Sequence, residues 1–223
     1  MMLKLTCLGQ GSTGNCWIAD YDGELLIIDA GLPIKAIKKG IDYNLIAVQG
    51  VLVTHIHKDH SMAVGDLKEC GLSVFEPFTV DQRAKTCGHY RIQAFPVPHG
   101  ECACYGFYIK VGDHRFIYAT DLEHIPYTFK KQELTAIIVE CNYQDDYVEL
   151  DASNANHKIL DHCELKTTIG IVKANQTDSL RNVIITHIGK STCNAIECVN
   201  AIKEVTNDTV NVDYARAGET YIL

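Results

Sequence analysis

Short apolar segments, separated by turn-forming residues, account for most of the chain. The first three are joined by glycine, serine and asparagine, which predicts three successive β-strands: LKLTCLG (3–9), NCWIADYD (15–22) and ELLIIDAGL (24–32). Apolar residues then recur at helical spacing in PIKAIKKGI (33–41), which predicts a short amphipathic helix. The loop GQGSTGN between the first two strands precedes a strand rather than a helix, which argues against a phosphate-binding P-loop.

The remainder of the chain repeats this order of strands followed by helices. Further strands are predicted over 45–55, 72–77, 90–100, 104–121 (a hairpin with its turn at 112–113), 135–142 and 181–189. Helices are predicted over 61–71, 79–88, most of 144–180 and 193–206, and a last strand or hairpin over 210–223. Two groups of strands, each followed by helices, fit two sheets with helices on their outer faces. Without a linker or repeat, we expect one domain over residues 1–223.

Composition and charge narrow the classes of partner. The chain has 223 residues, of which 47% are hydrophobic and 22% charged, so it can bury a substantial core. Its formal net charge is −8 and its basic residues form no block, which argues against tight, sequence-blind binding to long polyanions. A phosphate substrate held through metal ions is still compatible with this charge, because the ions bring their own positive charge.

The N-terminus and the cysteines bear on where the protein works. The opening MMLKLTCLGQ has no charged region followed by a sustained apolar run, and no segment approaches the roughly 18 apolar residues of a membrane span. We therefore expect a cytoplasmic protein without a membrane segment. The ten cysteines include no C-x-x-C pair and mostly lie in apolar runs, so we interpret them as reduced, buried thiols.

Three histidines and an aspartate are crowded into VLVTHIHKDHSMAVG (51–65). Alternate residues of a strand share a side, so we expect His55 and His57 to face the same way at the C-terminal end of this strand. Asp59 and His60 would follow where the chain turns into a helix. Imidazole and carboxylate are good ligands for zinc and similar divalent ions, and two pairs could serve two adjacent ions.

This cluster resembles the signature of the metallo-β-lactamase superfamily, and the segment GSTGNCWIAD…LLIIDAGL is similar to its opening. The resemblance implies a four-layer αββα sandwich of two mixed sheets and two divalent metal ions, zinc or manganese. It also asks for three further ligands at strand ends, which FPVPHG, FIYATD and VIITHIG supply as His99, Asp121 and His187. The implied first site is His55, His57 and His99, and the second is Asp59, His60 and His187. Asp121 would bridge the two sites, and Asp29 would support the metal-binding loop.

Within that superfamily the chain resembles the YycJ/WalJ group, including its phage-encoded relatives, through GSTGNC, IIVECNYQDD and DHCELKTTI. A bridging aspartate is typical of its phosphodiesterase, nuclease and glyoxalase-type branches rather than of antibiotic hydrolysis. Two positions depart from the group's pattern: Tyr143 replaces a histidine, and Gly100 follows His99 where an aspartate is usual. The catalytic candidates are Asp59 and His162, with Glu140 and Asn142 as weaker candidates for orienting the ligands.

The leading hypothesis is therefore a nuclease or phosphodiesterase that cleaves nucleic acid with a metal-bridging hydroxide. Hydrolysis of a small cyclic nucleotide is the second, favoured by the short chain and the acidic charge. A glyoxalase-type thioesterase is the third hypothesis, and a non-enzymatic domain that kept the fold is the fourth. His162 would bind a phosphate oxygen or protonate the leaving oxygen, work that needs a pKa near neutrality. Relatives often pair, so a homodimer is compatible with the resemblance, but the sequence does not give the oligomeric state.

Overall fold

A computed structural model describes residues 1–147 and 161–223, and it contains two mixed β-sheets. The first has the order β13-β1-β2-β3-β4-β5, with β1 Leu3–Gly9, β2 Cys16–Tyr21, β3 Glu24–Ile28, β4 Val48–Leu52, β5 Val74–Phe75 and β13 Thr220–Ile222. The second has the order β12-β11-β10-β9-β8-β7-β6, with β6 Ala84–Cys87, β7 Tyr90–Val97, β8 Cys104–Val111, β9 His114–Ala119, β10 Ala136–Glu140, β11 Asn182–Thr186 and β12 Asn211–Tyr214. In each sheet antiparallel pairs give way to parallel ones, at β3–β4 and at β9–β10.

Helices cover the outer face of each sheet. They are α1 Ile34–Gly40, α2 Lys58–Ser61, α3 Val64–Glu69, α4 Leu165–Asn175 and α5 Ala195–Lys203. Buried apolar side chains form three separate clusters, and each joins two layers. One lies between the sheets, around Trp17, Phe107 and Tyr118. The second joins the second sheet to α4 and α5, and the third joins the first sheet to α1 and α3. Three apolar layers separate four structural layers, which confirms the predicted αββα sandwich.

Two local predictions were wrong. The segment 79–88, predicted as a helix, contains β6, which pairs with β7 around a turn at Gly88, where φ is +53°. The segment 210–223, predicted as one strand or a hairpin, contains β12 and β13, which belong to different sheets. The helix predicted over much of 144–180 falls partly outside the described residues, and α4 is the part that the structure confirms.

Two further expectations can be compared with the structure. The ten cysteines form no disulfide within residues 1–147 and 161–223, where all of them lie, and seven are buried. In the same two stretches, no helix combines the length and the apolar character that crossing a membrane would need.

Candidate metal centre

The predicted ligands follow strands of both sheets and meet at one edge of the sandwich. Asp121 comes two residues after β9 and His187 directly after β11, and Glu140 is the last residue of β10 between them. Because these three strands are parallel, their carboxyl ends lie side by side. His99 follows β7 of the same sheet. His55, His57, Asp59 and His60 follow β4 of the other sheet.

Strand alternation does not place His55 and His57, because β4 ends at Leu52 and both histidines lie in the loop before α2. Neighbouring backbone holds this loop instead. Asn15 N donates to Asp59 O at 2.7 Å, and Ala30 N donates to His60 O at 2.8 Å. Gly31 lets the two segments approach, since a Cβ there would lie 1.6 Å from Asp59 O. The GNC and DAG segments of the sequence therefore serve as supports for the histidine loop.

The ligand atoms form three groups, and within each group they lie within 4.8 Å of one another. The groups are His55, His57, His99 and Asp121; Asp59, His60 and Asp121; and Asp121, Glu140, His162 and His187. Asp121 belongs to all three, as a bridging ligand should. All seven predicted ligands are thus brought together, and His187 lies beside Asp121 on the side of Glu140 and His162. Its ring centroid is 6.1 Å from that of His60.

Polar contacts behind the imidazoles set which nitrogen faces the centre. The buried Asp29 carboxylate accepts hydrogen bonds from Thr54 N, Thr54 Oγ1, Tyr118 OH and His60 Nδ1, all at 2.9 Å. The Thr54 hydroxyl, whose proton goes to Asp29, accepts from His55 Nδ1 at 3.0 Å. These contacts put the protons of His55 and His60 on Nδ1 and turn their Nε2 lone pairs towards Asp121.

His99 is oriented in the same way, with a hydrogen bond at Nδ1. The nitrogen lone pairs that consequently face inward indicate whether these residues suit a cation. His99 Nδ1 donates to Asp161 O at 2.8 Å, so its Nε2 lone pair also faces inward. His57 Nδ1 lies 3.0 Å from His55 Nε2 and 3.4 Å from His99 Nε2. Nitrogen lone pairs that point at one another and at a carboxylate repel unless positive charge lies between them. The donor set is therefore suited to divalent metal ions.

Three residues of this centre have the left-handed backbone conformation that side chains other than glycine rarely adopt. They are Asp29, Asp121 and His187, with φ of 59°, 52° and 49°. Each comes one or two residues after a strand, where the chain bends sharply over the edge of its sheet. Such conformations cost about 1–3 kcal/mol each and persist where the surroundings impose them, commonly at functional sites.

The electrostatics of the centre separate its histidines into two kinds. Burial lowers the pKa of His55 to about 4, so this imidazole is neutral and able to bind a metal. Burial alone would also lower the pKa of His60 and His187, but the nearby carboxylates outweigh it and raise both. Asp121 is the shared partner, and although burial opposes ionisation, His187 and His60 lower its pKa. Metal binding at His60 and His187 must therefore displace protons.

His162 lies beside the centre and completes its third group. Its Nδ1 is 2.7 Å from Glu140 Oε1, and its ring centroid lies 5.6 Å from that of His99 and 5.2 Å from that of His187. Burial alone would lower the pKa of His162, but Glu140 raises it to about 9, above the near-neutral value expected from the sequence. The ring lines a cleft of about 370 Å³ with the loops 10–13 and 187–191.

Gly100 and Tyr143, the two positions that depart from the pattern of the YycJ/WalJ group, have visible consequences in the structure. Gly100 has a φ of +52°, and a Cβ there would lie 2.5 Å from Asp161 Oδ1, so the 161–162 segment packs directly against the His99 turn. Tyr143 is buried, and it forms a β-bridge with Glu164. Asn142 orients the His187 loop, because its Nδ2 donates to His187 O at 3.1 Å and its O accepts from Gly189 N at 3.0 Å.

Sequence reasoning missed three polar contributors. Thr54 and Tyr118 contact Asp29, and Asn15 Nδ2 lies 2.8 Å from His60 Nε2. Thr54 directly precedes His55, so its position in the motif was the one available signal. Glu140 was a weaker candidate, yet it is fully buried and accepts from Leu122 N at 2.9 Å as well as pairing with His162.

An αββα sandwich with a histidine–aspartate cluster at one edge defines a metallo-β-lactamase fold, the fold of a class of metal-dependent hydrolases. The comparisons agree, since residues 9–69 match the sequence profile described as the metallo-beta-lactamase superfamily. Residues 9–69 therefore carry the sequence profile of this superfamily, and the chain has its fold.

One curated relative and two solved structures show what the chain resembles. It is 41% identical over 70 residues to "Exodeoxyribonuclease YycJ" of Bacillus anthracis, a match that spans 30% of this chain and 26% of that protein. The metallo-β-lactamase fold protein YhfI from Bacillus subtilis superposes with a TM-score of 0.74 at 19% identity, covering 100% of both chains. Unliganded yeast PDE1 superposes with a TM-score of 0.71 at 12% identity, covering 100% of this chain and 99% of that one. At these identities the two structures establish the fold alone.

Proposed function

We propose that this protein is a metal-dependent phosphodiesterase that cleaves nucleic acid. The observation that carries the proposal is the convergence of imidazole and carboxylate groups on Asp121, beside a cleft lined by His162. The 41% identical segment shared with a relative named as an exodeoxyribonuclease favours nucleic acid among phosphodiesters.

The residues that would hold two divalent ions fall into two sets around Asp121. His55, His57 and His99 would bind one ion, and Asp59, His60 and His187 the other, with Asp121 shared. Zinc and manganese both suit this set of nitrogen and oxygen donors. When bound, such ions lower the pKa of water and stabilise the negative charge that builds up on a phosphodiester during hydrolysis.

The chain's own side chains would bind and orient the substrate. Glu140 fixes the ring of His162 through Nδ1, and the imidazolium would donate a hydrogen bond to a phosphate oxygen or to the leaving oxygen. Lys58 and Lys190 are exposed in clefts beside Asp59 and His187, where each could contact a backbone phosphate. Ile56 and Met62, which are 68% and 41% exposed, flank the same loop and could pack against a sugar or base.

A small phosphodiester is the second candidate. The cleft of about 370 Å³ is within the range for a small ligand, and the net charge of −8 disfavours long polyanions at physiological salt. Nucleic acid and a small phosphodiester would be hydrolysed by the same chemistry. They differ only in whether the substrate extends beyond the cleft.

One set of assays separates these possibilities. The purified protein is incubated with manganese or zinc and offered bis-p-nitrophenyl phosphate, labelled single-stranded DNA, a cyclic nucleotide and a thioester. We expect turnover of the model diester and of DNA, loss of both in Asp121→Asn, and retention in His89→Gln. His89 is a suitable control because it is a surface histidine, 72% exposed, that pairs with Glu24 instead.

Metal analysis of the same variants supplies a readout that does not depend on turnover. We expect His99→Ala and Asp121→Asn to bind fewer ions per chain than the parent protein, and His89→Gln to bind as many. Turnover of the thioester alone would contradict the proposal, as would full DNA cleavage by Asp121→Asn. Turnover of the cyclic nucleotide without DNA cleavage would select the second candidate.

A further inference from the structure

A second cluster of potential ligands lies apart from the histidines and aspartates. Cys141 directly follows β10, Cys193 lies just before α5, and Cys198 is the fourth residue of α5. Their three sulfur atoms lie within 4.8 Å of one another, and those of Cys193 and Cys198 are 3.1 Å apart. Cys141 and Cys198 are fully buried, whereas Cys193 is partly exposed and offers a route from solvent.

We propose that Cys141, Cys193 and Cys198 form a separate thiolate site that binds one zinc ion. Three sulfurs at about 2.3 Å from a common ion would be separated by up to about 4 Å, so small side-chain movements suffice. Cys193 and Cys198 have C-x₄-C spacing, which is within the range of structural zinc sites. Gln144 Oε1, 3.4 Å from Cys198 Sγ, lies where a fourth ligand could come from.

The surroundings favour a thiolate at one of the three positions, Cys198. Hydrogen bonds with the other two sulfurs raise the pKa of Cys141, and although a hydrogen bond with Cys141 opposes it, Cys198 and burial raise the pKa of Cys193 to about 12, so a metal would have to displace the protons of these two thiols. Cys193 lies two residues before α5 and Cys198 is its fourth residue, near the N-terminal end where the helix dipole favours negative charge. Hydrogen bonds from Cys141 and Cys193 lower the pKa of Cys198 to about 4. Soft thiolate ligands select zinc over the oxygen-preferring magnesium and calcium.

A bound ion would join the far end of the loop that follows His187 to the segment after β10. This loop already rests on the segment after β10, since Gly189 N donates to Asn142 O at 3.0 Å and Gln144 N donates to Thr192 O at 2.8 Å. Cys141 belongs to that segment and Cys193 to the end of the loop. The thiolate site would therefore hold the His187 loop against β10 without contacting substrate.

A disulfide between Cys193 and Cys198 is the competing use of the same atoms. It needs the two sulfurs at about 2.05 Å and leaves Cys141 without a role. Three converging sulfurs fit a cation better than a bond between two of them.

The test uses cobalt(II) as a spectroscopic probe. The full chain is stripped of metal with a chelator, reduced and titrated with cobalt(II) alone, and sulfur-to-cobalt charge transfer is followed in the near ultraviolet. Nitrogen and oxygen ligands give no such band, so the histidine–aspartate centre does not contribute. We expect a band with the intensity of one thiolate-bound cobalt per chain, which zinc displaces and which persists in His57→Ala.

Cysteine variants identify which sulfur atoms give rise to the charge-transfer band. We expect its loss in Cys193→Ser, Cys141→Ser and Cys198→Ser and its retention in Cys70→Ser, a partly exposed cysteine at the end of α3. Alkylation followed by peptide mass analysis of the unmutated chain gives a readout independent of mutant folding. Zinc should protect all three thiols and leave Cys70 reactive. The proposal is overturned by absence of the band in the unmutated chain, by its persistence in Cys193→Ser, or by a Cys193–Cys198 disulfide in protein prepared with zinc.

Discussion

Replacing Asp29 by asparagine tests whether the contacts behind the ligands control metal binding. The carboxylate is fully buried and accepts four hydrogen bonds, two at Oδ1 from Thr54 and two at Oδ2 from His60 Nδ1 and Tyr118 OH. An asparagine keeps the oxygen that faces Thr54 but presents an NH₂ group to the other two donors. The tyrosine hydroxyl can turn and accept instead. The imidazole can relieve the conflict by moving its proton to Nε2, the atom 3.1 Å from Asp121 Oδ2.

The size of the effect follows from these contacts. A proton on Nε2 occupies the lone pair that His60 would use as a ligand. Losing such a supporting contact lowers metal affinity about 10–100-fold, or about 1.4–2.7 kcal/mol. The free energy of unfolding without metal should also fall by about 1.5–3 kcal/mol, the typical contribution of a hydrogen bond to a charged group.

Tyr118→Phe is the matched control, because it removes one hydrogen bond to Asp29 and leaves His60 unchanged. Calorimetric titration with zinc measures affinity, and urea unfolding in chelator measures stability. Both variants should lose stability, and only Asp29→Asn should lose affinity for the ion held by His60. Equal affinities in the two variants would refute the reasoning.

Two further predictions concern stability. Gly31→Ala should lower the free energy of unfolding by several kcal/mol, and also lower metal affinity, because the added Cβ would overlap Asp59 O. Gly65→Ala should stabilise α3 by about 0.5–1 kcal/mol, because a Cβ there meets nothing within 4 Å. Urea unfolding checks both, and an unchanged midpoint for Gly31→Ala would contradict the expectation. Partial burial alone would raise the pKa of Asp213, but bonds from Arg216 Nη1 and Nη2, at 2.9 and 2.8 Å, lower it below its unfolded value of about 3.9. The stabilisation, about 0.5–1 kcal/mol, should thus be present above about pH 4 and lost as pH falls through the folded pKa. Asp213→Asn should be less stable than the parent at pH 7, and the difference should shrink in acid; a difference that grows in acid would reverse the assigned sign.

The sequence could predict those parts of the site in which residues able to bind a metal come at the end of an apolar, strand-like run. His55, His57, Asp59 and His60 form a dense motif after an apolar run, and such runs also precede the other three predicted ligands. A ligand at the end of a strand can be predicted from the local sequence, because its position does not depend on distant contacts. Asp29, by contrast, was assigned its supporting role by resemblance, and the structure shows the four hydrogen bonds behind it.

The parts that could not be predicted depend on partners far away in sequence. The segment 79–88 has mixed polar and apolar residues that suit a helix or an edge strand, and pairing with β7 decides between them. β12 and β13 are five residues apart, yet they complete opposite sheets, because each finds its hydrogen-bonding partner in a different one. The cysteine cluster escaped notice for the same reason, since Cys141 is 52 residues from Cys193 in sequence and adjacent to it in space.

The placement of the predicted ligands on both sheets has a mechanical consequence. His55, His57, Asp59 and His60 follow β4 of the first sheet, whereas His99, Asp121 and His187 follow strands of the second. Each proposed ion would therefore have ligands from both sheets and would join them where the apolar layer between the sheets reaches the edge. The left-handed backbone at Asp29, Asp121 and His187 is imposed at this same edge. Metal bound at this edge would hold the two sheets together, because it would offset the repulsion between the nitrogen lone pairs. A substitution that changes metal affinity should therefore also change how closely the two sheets approach at this edge.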